Sequence, residues 1–271
     1  MYNRGNDYIS QEHMEYLKKV RIKRFSILLT QILILVLFLG LWEAAARLKF
    51  IDPFITSQPS RIFSTLISLY REGQLFEHIG ITCMETVVGF SLGTVLGIII
   101  AVILWWSEFL SKVFEPYLVI LNSLPKIALG PIFIVWIGAG PISIIAIVLT
   151  ISIIVTILEI LNGFLGVDPD KIKLAKTFGA NKFQIMMKVV LPSSLPVIMN
   201  ALKVNVGLSW VGVIVGEFLI SKAGIGYLIV YGGQVFQLDL VMTSVFILAA
   251  AAYVMYRCVA YVEKLLVKNK G

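Results

Sequence analysis

Six stretches of this chain, at about residues 25–46, 81–106, 117–137, 141–163, 196–220 and 241–263, are nearly continuous apolar runs. Each approaches or exceeds the ~20 residues a helix needs to cross a hydrocarbon core. Lipid offers the backbone no hydrogen-bond partners, so a spanning segment must satisfy its own N–H and C=O groups. The expected fold is therefore all-α, a polytopic membrane bundle of six transmembrane helices. Composition agrees. Of 271 residues, 58% are hydrophobic and 14% charged, with a mean hydropathy of +0.90, against about 45–50% and about 25% in a soluble domain.

The net charge of +7 does not indicate nucleic acid. The basic residues flank the apolar runs, as the positive-inside bias demands. Arg4, Lys18, Lys19, Arg21, Lys23, Arg24, Lys112, Lys171, Lys173, Lys176, Lys182, Lys188, Lys264, Lys268 and Lys270 fall on one side of the six-span pattern. Arg47, Lys49, Arg61, Arg71 and Lys222 fall on the other. Both termini, and the polar segment between spans four and five, are expected to be cytoplasmic. Cys83 and Cys258 lie within the runs, and His13 and His78 lie in separate polar segments. Neither a disulfide framework nor a metal site has support.

The basic N-terminus, the apolar run from Phe25 and Ala44-Ala45-Ala46 imitate a secretory signal. That run is longer than a signal core of ~7–15 residues, and Glu43 interrupts the small-residue site, so an uncleaved first span is expected. Between spans one and two, Pro59 to Arg71 repeats its apolar residues at helical spacing. Ile62, Phe63, Leu66, Ile67 and Tyr70 share one face, and such a helix would lie along the membrane interface.

The polar segment from Asp168 to Pro192 carries the functional signal. Asp168 can cap a helix whose first turn accepts Pro169, and Gly179 can take the left-handed conformation that ends it. A second helical run starts at Asn181 and is expected to stop near Pro192. Two short helices joined at a glycine exceed what a connection between spans requires, so the segment reads as a docking element.

The segment resembles the cytoplasmic coupling loop of ABC importer permeases, whose pattern is Glu-Ala-Ala, three residues, Gly, nine residues, Ile-x-Leu-Pro. Ala175 takes the second alanine, Gly179 the glycine, Val189 the isoleucine, and Leu191-Pro192 the closing pair. Lys173 stands in place of the glutamate and Leu174 in place of the first alanine. From about Pro53 onward the chain is similar to the nitrate, taurine and aliphatic-sulfonate branch of these permeases. The supporting segments are Gly89-Phe90-Ser91-Leu92-Gly93, Leu124 to Pro131, Trp136-Ile137-Gly138 and Val215-Gly216-Glu217-Phe218.

The resemblance implies a type I importer permease in a bacterial cell membrane. Hydropathy and charge placement give a cytoplasmic tail, 1–24, before a transmembrane permease domain, 25–271, in which the resemblance puts the coupling loop at about 164–195. The implied partners are two ATPase subunits carrying ATP and Mg, an extracytoplasmic solute-binding protein, and a second permease copy as a homodimer within membrane lipid. The cargo would be a small organic or anionic nutrient, sulfonate-, taurine- or nitrate-like or vitamin-like, moved inward by alternating access. No cofactor and no nucleic acid is expected on this chain. It has no Gly-x-x-x-x-Gly-Lys-Ser/Thr loop for ATP, and no catalytic constellation stands out.

Pathway candidates come from polar residues within spans. Asn122, Ser123 and Lys126 share span three with Pro125, Gly130 and Pro131. Non-helical backbone in a membrane needs protein or a water cavity around it. Lys126 either marks a pathway or snorkels to the interface. Asn205, Ser209, Gly212 and Gly216 trace one stripe of span five, with Glu217 at its expected outer mouth. The stripe either lines the path or packs helices. Glu85, Gly89, Gly93 and Gly97 share a face of span two, where the glycines suit close packing. Glu85 is expected to reach water. Lys203 and Lys126 together would favour an anionic cargo. An ion-coupled secondary transporter would need inverted repeats and a midplane carboxylate, and a membrane enzyme would need clustered His or Asp motifs. Neither accounts for the helix–glycine–helix segment.

Overall fold

The computed structural model describes residues 11–268, with side chains from 16 to 266. Every regular element among them is helical. Two compact units divide between residues 63 and 64, and residues 1–10 of the expected cytoplasmic tail lie outside the described ones.

In the first unit, α1 (Gln11–Arg47) is one helix that crosses residue 24 without a break. Phe25, Leu29, Leu33, Leu37 and Leu41 along it are exposed, the composition of a lipid-facing span. Asp52 caps the short α2 (Pro53–Thr56) by accepting the Phe54 N–H at 2.9 Å. Glu43 accepts from Arg47 Nε at 2.7 Å and from the Ser60 N–H at 3.0 Å. Ser60 belongs to the first turn of α3 (Pro59–Arg71).

The second unit contains α4 (Gln74–Trp106), α5 (Glu108–Ser123), α6 (Gly130–Ile137) and α7 (Pro141–Leu165). It continues through α8 (Pro169–Thr177), α9 (Lys182–Ile185), α10 (Leu191–Ile220), α11 (Ile225–Gln234) and α12 (Leu238–Lys268). Five described helices are long and apolar enough to cross a membrane, or six when α5 and α6 count as one bent span. The start of the third span, expected at about residue 117, is thus corrected, and the non-helical backbone considered there is present. The span starts at Glu108 and bends by 85° between Ser123 and Lys126. Pro125 disfavours helical geometry at Leu124, which is extended at φ −65°, ψ 140°, and a 3-10 turn at Lys126–Leu129 restarts the chain.

α7 is flanked by two helices whose glycines admit it. A Cβ on Gly89, Gly93 or Gly97 of α4 would meet Val148, Ser152 or Thr156 at 2.5, 2.2 and 2.6 Å. From the other side, Gly212 and Gly216 of α10 approach Val148 Cα and Ile144 Cγ2 to 2.9 Å at the same ideal Cβ position. Lipid removes the hydrophobic drive between helices, so this backbone proximity is what van der Waals packing can use.

Helix α3 forms as its spacing predicts, but it is rotated from the expected face. Leu66 and Leu69 pack with Leu75, Leu228 and Leu240, and Phe63 and Tyr70 are exposed. The apolar surface offered by α4, α11 and α12 selects the leucines, and Tyr70 meets Phe76 edge-on at 5.8 Å.

A second correction concerns Pro192, where the helical run from Asn181 does not stop. α9, a π-helical segment at Met186–Val190 and α10 form one continuous helix, Lys182–Ile220. The Leu191 N–H bonds the Met186 carbonyl five residues back. This wider spacing makes room for Pro192, which lacks an N–H and would crowd an α-helical turn.

Candidate functional site

The segment 168–192 is built from local signals. The Asp168 carboxylate accepts the Asp170 N–H at 2.9 Å and Pro169 occupies the first turn of α8. Gly179 ends that helix at φ +77°, the left-handed geometry that glycine adopts without a Cβ clash. Asn181 and Gln184 form a reciprocal capping box, each bond 2.9 Å long.

Four of the motif positions face inward. Ala175, Val189 and Leu191 pack against a buried cluster that includes Ala101, Leu104, Phe164, Ile185, Met186 and Val190, and Pro192 is half-buried at the π segment. Outward, the loop presents Leu174 (59% exposed), Phe178 (83%) and Phe183 (62%). Lys173 is also exposed and pairs with Asp170 at 3.1 Å. Sequence reasoning identified the residues that shape the loop and missed the apolar ones it displays. Phe178, next to the left-handed glycine, was the available signal.

A buried polar cluster lies at the opposite end of α4 and α10. Glu217 is 1% exposed and Glu85 2%, so Glu85 does not reach water as the sequence led us to expect, and Glu217, near the end of α10, is enclosed by protein. Glu217 accepts the Thr82 hydroxyl at 2.7 Å and the Gly226 N–H. The Ile225 N–H donates to Thr82 Oγ1 at 2.7 Å, and the Gly224 N–H to His78 Nδ1 at 2.9 Å. The Glu85 carboxyl contacts that of Glu217. The first amides of α11, which no helix partner can satisfy, thus replace water around Glu217. A Cβ on Gly224 or Gly226 would fall 2.3 or 2.7 Å from a Glu217 carboxylate oxygen. Glycine at both positions is a steric condition of the cluster. Beside it a cavity of about 620 Å³ is lined by Glu72, Gln74, His78, Lys222, Tyr227 and Tyr231, among others. His78, Tyr227 and Tyr231 stack along its wall at centroid spacings of 6.0 and 5.9 Å. Glycines 224 and 226, set just after Glu217, are the sequence signal that could have revealed this cluster.

The pathway candidates divide. Asn122 and Ser123 are exposed where α5 meets the bend, and Lys126 is half-buried there. Lys126 Nζ donates to the Asn122 carbonyl at 3.0 Å and to its side-chain oxygen at 3.2 Å, which satisfies the end of α5. Asn205 and Ser209 are buried, at 2% and 0% exposure. Asn205 Nδ2 donates to Thr94 Oγ1 of α4 at 2.9 Å, and Gly212 and Gly216 continue the same stripe against α7. Within this chain the stripe is a packing seam. Lys203 pairs with Glu263 of α12 at 2.6 Å, so its charge is already offset without an anionic cargo. The structure does not bring Lys126 and Lys203 together in any described ion pair or hydrogen bond.

Residues 93–269 match the family described as the binding-protein-dependent transport system inner membrane component. The chain is 28% identical to a putative aliphatic sulfonates transport permease protein, SsuC, of Bacillus subtilis, over 85% of this chain and 83% of that one. It is 30% identical to the formylaminopyrimidine transport permease protein ThiX of Halalkalibacterium halodurans, over 72% of this chain and 77% of that one. Among solved structures, a bacterial ABC transporter involved in alginate import superposes with a TM-score of 0.63. That match covers 94% of this chain and 99% of the other at 16% identity, a likeness of fold alone.

Proposed function

The chain belongs to the family of binding-protein-dependent transport system inner membrane components, and from that premise we propose that its segment 168–192 receives a separate ATPase. One observation carries this reading. Leu174, Phe178 and Phe183 are displayed on a segment whose caps and left-handed glycine fix its shape and whose inner side is anchored in the core. An exposed apolar set on a rigid support is the anatomy of an interface centre. ATP and Mg belong to the partner. In this reading the loop and both termini are cytoplasmic, and the cavity beside His78 and Lys222 faces an external solute-binding protein. A second copy of this chain completes the translocation path. Asn122, Ser123 and Lys126, at the bend between α5 and α6, are the polar groups we assign to that path.

Cargo class is a matter for the same reading. The relatives' names span aliphatic sulfonates and a formylaminopyrimidine, one anionic and one uncharged class. The Lys203–Glu263 pair removes one reason to demand an anion. We assign a small organic nutrient, selected mainly by the binding protein. Co-purification tests the docking claim. The wild-type permease retains its ATPase in detergent, whereas Phe178→Asp, which puts a charge into the proposed interface, releases it from an otherwise intact permease. Full retention by Phe178→Asp overturns the docking surface.

A further inference from the structure

Lys182 opens α9 immediately after the Asn181 cap, yet its ammonium does not point to solvent alone. Nζ donates to the carbonyl of Trp106 at 2.5 Å, across 76 residues of sequence. It also lies 5.8 Å from the ring centroids of both Trp105 and Trp106. Trp106 is the last residue of α4, so its carbonyl is among those that helix geometry leaves unpaired. A cation there satisfies the acceptor, opposes the negative end of the helix dipole and sits against two indole faces.

At its other end, α4 supplies His78 and Thr82, which hold the first amides of α11, and Glu85, which contacts Glu217. One 33-residue helix, about 50 Å long by its rise per residue, therefore joins the exposed loop to the buried cluster. The loop is covalently continuous with α7 and α10. Lys182 on Trp106 ties it to a third span, α4, and the same ammonium also lies near the Glu108 carboxylate that opens α5.

We propose that Lys182 is a positioning residue that couples α4 to the loop, so that displacement of the loop by an ATPase moves α4 and, through it, the α11 cluster. This rests on the docking role proposed for segment 168–192. Coupling of this kind requires a contiguous element biased at one end and read at the other. Latch, helix and cluster are that element.

The test uses the full permease–ATPase complex in nanodiscs and vesicles, with three readings. These are ATPase retention, uptake per ATP hydrolysed, and the ATP-dependent change in labelling of a cysteine placed at 222 beside the cluster. Lys182→Met keeps the aliphatic stem and removes the cation. ATPase retention is expected to match wild type, uptake per ATP to fall about fivefold, and the labelling change at 222 to vanish. Lys182→Arg keeps a cation that can stack on indoles, and it restores both. Trp105→Leu produces the same fall, and combining it with Lys182→Met adds nothing further. Wild-type uptake and labelling in Lys182→Met, or a loss that arginine does not restore, overturns the inference. Loss of the ATPase from Lys182→Met overturns it too, because Lys182 would then be a docking contact. Failure of the docking reading is seen separately, as full ATPase retention by Phe178→Asp.

Discussion

The Thr82 hydroxyl donates to the Glu217 carboxylate at 2.7 Å while accepting the Ile225 N–H at the same distance. One small side chain on α4 thereby ties the end of α10 to the start of α11. Both neighbours are buried, so each partner depends on the other. A buried acceptor or donor left unpaired costs about 1–3 kcal/mol, more for a charged group.

Glu217→Ala leaves the Gly226 N–H without its acceptor, while the Thr82 hydroxyl keeps only the His78 carbonyl at 3.1 Å. The purified permease is expected to lose about 1–3 kcal/mol of stability, read as a lower midpoint of thermal unfolding in detergent. Glu217→Gln keeps an acceptor oxygen and should lose less. Gly226→Ala forces a Cβ to within 2.7 Å of Glu217 Oε2 and is expected to be as damaging as removing the carboxylate. Equal stability of Glu217→Ala and wild type would show that the cluster contributes nothing.

At Gly179 the surroundings are open, with no heavy atom within 4 Å of an added Cβ, and the constraint is the φ of +77° alone. Gly179→Val places a β-branched residue in the left-handed region, a strain of about 1–2 kcal/mol. Because the turn is exposed, the permease should still insert into the membrane, and the expected loss is ATPase retention and transport. Gly179→Asn, which tolerates that region better, should fall between. Normal retention and uptake in Gly179→Val would mean the turn's shape does not matter to the partner.

Lys173 takes the position where the family pattern carries glutamate, and it is an exposed partner of Asp170 at 3.1 Å. Lys173→Glu sets two carboxylates three residues apart on α8 and reverses the charge offered to the ATPase. The complex is expected to weaken by about 1 kcal/mol or less, since both groups are well solvated, measured as a change in ATPase affinity. A tighter complex would contradict the idea that the cognate surface is matched to lysine.

The capping residues, the left-handed glycine and the glycine face of α4 were all legible because each reports a local or nearest-neighbour requirement. Asp168, Gly179 and Gly93 need little beyond their own helix to declare themselves. The bend at Leu124 and the passage of the helix through Pro192 were half-legible. Both prolines were conspicuous, but whether proline breaks a helix or is absorbed by a π segment depends on the packing that holds the backbone on either side. The Glu217 cluster was hidden for another reason. Its partners, His78, Thr82 and the amides at 224–226, come together only in the tertiary fold, and a carboxylate near a span end reads from sequence as solvated. Phe178 was passed over because its neighbours in the motif are the residues that build the loop, although its place beside the left-handed glycine was a signal.

In the proposed reading, the uneven placement of basic residues puts the loop and the termini on the cytoplasmic side. A cysteine introduced at position 180, beside the left-handed turn, should therefore resist a membrane-impermeant thiol reagent in intact cells and react after permeabilisation. A cysteine at position 222 should react without permeabilisation. Reversal of that pattern would invert the assignment of both ends of the molecule, the ATPase surface included.

Ser209 gives the sharpest separation between packing and pathway. Its side chain is fully buried, and Gly212 and Gly216 on the same stripe of α10 let α7 approach to distances at which a Cβ would collide. Asn205, one turn before it, donates to Thr94 of α4. A tryptophan at 209 has no space to enter without separating α10 from its neighbours, and overpacking a close helix contact typically costs about 1–3 kcal/mol or more. The expected result for Ser209→Trp is loss of assembled complex in detergent together with loss of uptake in vesicles. Ser209→Ala leaves packing intact and removes only a hydroxyl that has no hydrogen-bond partner, so both readings should stay near wild type. An intact Ser209→Trp complex without uptake would instead put the stripe on the translocation path, opened by a rearrangement of α10. An intact, active Ser209→Trp complex would mean that α10 presents this residue to lipid, and the seam between α4, α7 and α10 would have to be redrawn.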